Sequence, residues 1–139
     1  MLQIKPWLER EFAFNTPRWM FPHIVERARG GPPRLDEALR NLTEAELAER
    51  FGNAWSVQEE AGHLLDIEPL MSRRLDQLIQ GASVLQAWDG TNAATWNANH
   101  NTRQFQDILE VFRRSRQLFV GRLDELPEEL VERSAFIPG

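Results

Sequence analysis

The feature that most narrows what this chain can fold into is a long apolar stripe in its C-terminal half. Phe105, Ile108, Leu109, Phe112, Phe119, Leu123 and Leu126 follow the i, i+3, i+4, i+7 spacing of one helical face. A face of that kind has to be buried against other elements. The spacing predicts a helix over 97–126, with Pro127 closing it. No segment shows the alternation of a half-buried strand, so the partners are expected to be helices and the fold all-α.

Two further long helices are readable. The first is expected to begin at Thr16 as cap and Pro17 as first helical residue, and to run through Trp19, Met20, Ile24 and Val25. Gly30-Gly31-Pro32-Pro33 should stop it, and Pro22 should kink it or mark its true start. The second opens on Ser56-Val57-Gln58-Glu59, a capping box in which Ser56 and Glu59 satisfy each other's backbone N–H groups. Its apolar positions are Val57, Ala61, Leu64, Ile67, Met71, Leu75 and Leu78, with a bend expected at Pro69 and an end at Gly81. Between the two lies a weaker segment, 34–50, containing a second capping box at Thr43 and Glu46.

Leu42-Thr43-Glu44-Ala45-Glu46-Leu47-Ala48-Glu49-Arg50 resembles Leu126-Pro127-Glu128-Glu129-Leu130-Val131-Glu132-Arg133. Each copy follows a helical segment, and the first leads into the capped helix that carries His63. Three long amphipathic helices pack most simply with a fourth. A fourth helix is therefore expected after the Pro138-Gly139 turn signal, which leaves the 139 residues as one domain that lacks its last helix.

The formal net charge of −5 disfavours a phosphate-backbone partner, so no nucleic acid is expected. The chain has no cysteine, which excludes disulfides, zinc–thiolate sites and cysteine nucleophiles. Met1–Trp7 has no charged segment followed by an apolar run, and no apolar stretch reaches the roughly 18 residues of a membrane span. A cytoplasmic protein without a membrane partner is the expectation.

His63 is the leading candidate for chemistry. It lies one turn after Glu59 and Glu60 on the second long helix, at the margin of the apolar stripe. Glu60 falls inside that stripe, where an unpaired carboxylate is out of place. Glu60 could share a metal with His63 or orient its ring. Equally, His63 could be a partly buried, hydrogen-bonded histidine and Glu60 could reach solvent. Asn97 and Asn101 extend the face of Phe105 and Ile108, and could form the polar mouth of a pocket or simply cap the helix. His100, beside them, points off that stripe. His23, after Pro22, reads as structural. Phosphate-binding loops, His-Glu-x-x-His and nucleophile-elbow motifs are all missing.

The segment Trp55-Ser56-Val57-Gln58-Glu59-Glu60-Ala61-Gly62-His63-Leu64-Leu65-Asp66-Ile67-Glu68 resembles the second-helix hallmark of the DinB/YfiT-like family, and Leu42–Leu47 resembles its usual lead-in. Looser similarity extends to Trp19-Met20-Phe21-Pro22 and Ala98-Asn99-His100-Asn101. The resemblance implies a four-helix bundle, often a homodimer. It also implies a divalent metal, nickel or zinc, held by three histidines. Activity would be that of a metal-dependent hydrolase or a transferase using low-molecular-weight thiols. His63 corresponds to the first of the three metal ligands. The other two, a His-x-x-x-His pair on the last helix, have no counterpart in this sequence. The alternative is a non-enzymatic stress-response or dimerisation module without metal.

Overall fold

The structure is a computed structural model that describes residues 3–6, 9–13 and 15–138. Part of the N-terminal segment Met1–Trp7 and the last residue of the Pro138-Gly139 turn signal lie outside the described residues. The fold is all-α. Its elements are α1 (Phe21–Arg29), α2 (Gly31–Leu39), α3 (Glu44–Ala48), α4 (Val57–Asp66), α5 (Glu68–Ile79), α6 (Ala93–Ala98), α7 (Phe105–Asp124) and α8 (Glu128–Val131). Among the described residues the only β interaction is an isolated parallel bridge, Val84 with Phe136.

α7 is the axis of the molecule and packs against α1, α2, α4 and α5. Its stripe supplies Phe105, Ile108, Leu109, Phe112 and Val120 to the core, each at most 6% exposed. Burying side chains of this size stabilises by about 1.5–3 kcal/mol each. At the α4 end, Phe105 and Leu109 meet Ala61 and Leu47, with Leu35 and Leu39 from α2 packed alongside.

Prolines place the helix breaks. α1 begins at Phe21 with Pro22 in its first turn, so Pro22 marks the start, and Arg18–Met20 ahead of it is a single 3-10 turn. The start expected at Thr16 and Pro17 is therefore too early. Gly30-Gly31-Pro32-Pro33 ends α1 but does not open a loop. Proline lacks an N–H that the first helical turn leaves unpaired anyway, so Pro32 and Pro33 sit in the first turn of α2. Pro69 acts the same way at the start of α5, splitting the second long helix at Ile67. Gly81 adopts φ +79 after α5, and its neighbour Ala82 bonds back to the Gln77 carbonyl.

The third long helix starts later than its stripe suggests. Asn99 takes the left-handed conformation at φ +52, which asparagine tolerates better than most residues, and this separates α6 from a 3-10 turn at His100–Thr102. α7 begins only at Phe105. Asn97 and Asn101 therefore do not continue the Phe105–Ile108 face.

Both copies of the repeat form short helices, α3 after α2 and α8 after α7. α3 has the complete Thr43–Glu46 capping box, whereas α8 starts at Pro127 with no side-chain cap. Beyond α8 the chain returns to α5. Arg133 donates to the Leu78 and Ile79 carbonyls at the helix end, and Phe136 exchanges backbone hydrogen bonds with Ser83 and Leu85.

Candidate functional site

α4 gathers the polar chemistry of the molecule. Ser56 caps it, accepting from the Glu59 N–H, while the Glu59 carboxylate accepts from the Ser56 N–H at 2.9 Å. Glu59 is only 3% exposed and is also paired with the Arg50 guanidinium, whose Nε donates at 2.7 Å. Arg50, with help from the Ser56 N–H, holds this carboxyl down at about 2 against an ordinary value of 4.5. The buried carboxylate of the helix start is therefore Glu59. Glu60, expected within the apolar stripe, is exposed, because the first turn of α4 buries Gln58 and Glu59 instead.

Gln58, Gly62 and Asp66 lie four residues apart on one face of α4, which receives the turn after α6. The Gln58 amide donates to the carbonyls of His100 and Arg103 at 2.6 and 2.7 Å. The His100 ring lies on Gly62, where a Cβ would stand 2.3 Å from its Cδ2. His100 Nε2 meets Asp66 Oδ2 at 2.9 Å, and Asn101 Oδ1 accepts from Ser56 Oγ at 2.6 Å. His100 is completely buried, contrary to the expectation that it points off the core, since the break at Asn99 turns it inward. Its Nδ1 is buried without a hydrogen-bond partner among the described residues. Asn97 is exposed, and its carbonyl accepts from Asn99 Nδ2.

His63 occupies the neighbouring face and is half-buried. Its Nδ1 lies 2.9 Å from the hydroxyl of Thr95, a buried residue of α6. Its ring is 5.0 Å from Trp55, which in turn meets Trp96 edge-on at 5.5 Å. Arg50 sits over Trp96 at 5.4 Å. The structure thus brings His100 and Asn101 together against α4 and places His63 in a separate aromatic setting. Glu60 and Asn97 join neither group.

Sequence reasoning missed Thr95, Asp66 and Gly62. Gly62 carried a signal, since a glycine inside a helix often marks a close approach by another chain segment. Asp66 reaches His100 only because the helix ends at Asn99, and Thr95 reaches His63 across 32 residues, so neither contact shows in a local pattern.

An all-α helical protein with a capped helix bearing one accessible histidine is the class that this fold and site define. The family model of the DinB superfamily matches residues 27–138, and the chain belongs to that superfamily. No curated protein and no solved structure matches it. No helix among the described residues is long and apolar enough to cross a membrane.

The resemblance implies a divalent metal, which can be tested against the donors. Glu59 is occupied by Arg50, Asp66 by His100, and His63 stands beside a neutral hydroxyl. Among the described residues there is no group of three or more histidine, cysteine, aspartate or glutamate side chains that could hold a metal ion.

Proposed function

We propose that this DinB-superfamily protein presents His63 as a single imidazole donor for a divalent metal, nickel or zinc. On this reading it acts as a metal-dependent hydrolase or low-molecular-weight-thiol transferase. The remaining donors come from outside the described residues. It works as a cytoplasmic homodimer on a small-molecule or thiol substrate.

The observation that carries this reading is the His63–Thr95 hydrogen bond. If Nδ1–H donates to the threonine hydroxyl, Nε2 keeps its lone pair and the ring is held in place, which is how proteins orient ligating histidines. Metal content is measured on the purified protein and on His63→Ala. Loss of bound nickel or zinc in the variant supports the assignment, and unchanged metal content overturns it.

A second reading is a non-enzymatic binding or dimerisation module without metal. It is favoured by apolar side chains left on helix surfaces, Val57 and Leu64 on α4 at 37% and 36% exposure and Leu118 on α7 at 76%. It predicts self-association or partner binding that is indifferent to chelators and to His63→Ala.

A further inference from the structure

A cleft of about 240 Å³ opens where the α1–α2 junction meets the middle of α7, and none of its lining residues belongs to the helix that carries His63. It is lined by Arg29, Pro32, Pro33, Arg113, Arg116 and Gln117. Three of the six are arginines and none is acidic, in a chain whose net charge is −5. A cluster of like charges persists in such a chain only if each member is held individually, so the partners of each decide what the cleft can do.

Arg116 is 18% exposed and fully engaged. Its Nε and Nη2 donate to Glu68 Oε1, and its Nη1 donates to the Ala28 carbonyl at 2.9 Å. Arg29 is fixed by Glu26 through Nε and by both carboxylate oxygens of Asp124 through Nη2, which leaves Nη1 without a partner among the described residues. Arg113 differs from both. Its nearest carboxylates, Glu110 at 3.6 Å and Asp36 at 3.8 Å, lie beyond hydrogen-bond distance, and it makes no hydrogen bond among the described residues. Two guanidinium groups are thus set in the wall, and a third stands beside them, ion-paired with Glu110 and Asp36 but without a hydrogen bond among the described residues. Pro32 and Pro33 contribute no N–H groups, so recognition at this cleft falls to the side chains.

We infer that this cleft is a binding site for a small oxyanion, the phosphate or carboxylate group of a small molecule. Arg113 would supply a bidentate fork, and Arg29 Nη1 and the Gln117 amide would add donors. Guanidinium groups suit such oxygens because their donors lie in a rigid plane that matches the anion. Glu110 and Asp36 compete only loosely at their present distances, and the binding need not displace the pairs that fix Arg29 and Arg116. The inference is independent of the His63 reading, since it uses none of the same residues.

The test is a 1H–15N NMR titration of the full chain with inorganic phosphate at constant ionic strength, repeated with succinate. The expected result is a saturable shift at Arg29, Arg113, Arg116 and Gln117. Arg113→Gln should weaken that binding by about tenfold or more. Arg114→Gln, which removes an equal charge from a 74%-exposed neighbour, should leave it unchanged. Tighter phosphate identifies a phosphoester ligand and tighter succinate a carboxylate. Shifts that fail to saturate, persist in Arg113→Gln, or fall equally in Arg114→Gln would overturn the site.

Discussion

His63 and His100 address the same helix from different faces, and each uses one ring nitrogen in a hydrogen bond. The surroundings divide them. His100 is sealed from solvent, faces a carboxylate, and rests on a glycine that leaves no room for a methyl group. His63 is half-buried, faces a neutral hydroxyl, and has an indole beside it. A sealed imidazole beside a carboxylate fastens one segment to another. An accessible imidazole held by a hydroxyl keeps a nitrogen for other work. Burial and partner, not residue type, distinguish the two histidines.

The largest expected effect tests the structural side of that division. In Gly62→Ala the new Cβ would stand 2.3–2.5 Å from three atoms of the His100 ring, so the ring must leave and the Asp66 contact goes with it. Overpacking together with a lost charge-assisted hydrogen bond should cost about 3 kcal/mol. His63→Ala should cost about 1 kcal/mol or less, as is usual away from the fully buried core. Urea unfolding midpoints measure both. Equal losses would erase the distinction between the two faces.

The same contrast explains what could be read from the sequence. Both capping boxes, the prolines, Gly81 and the α7 stripe act through neighbours within four residues, so local chemistry announces them. The α4 stripe misleads in its first turn. There Glu59 is drawn inward by Arg50 and Gln58 by two carbonyls of the distant 100–103 turn, so polar residues occupy positions that periodicity would reserve for apolar ones. His100 was misplaced because one asparagine, Asn99, took a left-handed conformation that ends α6, and nothing in the apolar pattern reports that choice. His63 was picked out by its segment. Its partner Thr95 was not, because the contact spans 32 residues and lies beyond any local pattern.

Glu59 offers a smaller effect and a pH signature of its own. Its folded-state pKa is depressed to about 2 from 4.5, with Arg50 as the main cause. A depressed carboxylate contributes fully above the unfolded value and loses that contribution as pH falls through the folded one. The stabilisation should therefore be intact above pH 4.5 and fade between 4.5 and about 2. Glu59→Gln should lower stability at neutral pH by about 1–3 kcal/mol, by weakening both the cap and the Arg50 pair. The gap between variant and wild type should narrow on acidification through that window. Denaturant unfolding at pH 7, 4 and 3 provides the check, and a gap of constant size would mean that Glu59 acts only by packing.

The smallest effect sharpens the His63 side. Thr95→Val keeps the shape of a buried residue on α6 but removes the hydroxyl that faces Nδ1. One hydrogen bond lost should cost about 0.5–1.5 kcal/mol. The informative change is in the ring. With Thr95 present, an Nδ1–H that donates to the hydroxyl fixes the tautomer that leaves the Nε2 lone pair available. Without it, the ring should drift towards the tautomer protonated at Nε2. The 15N shifts of His63, measured with the ring neutral, distinguish the two forms directly. A shift in wild type that already reports Nε2–H would place the threonine hydroxyl as donor and not acceptor. His63 would then be held in the form that cannot give Nε2 to a metal, and its chemical role would have to rest on something other than ligation.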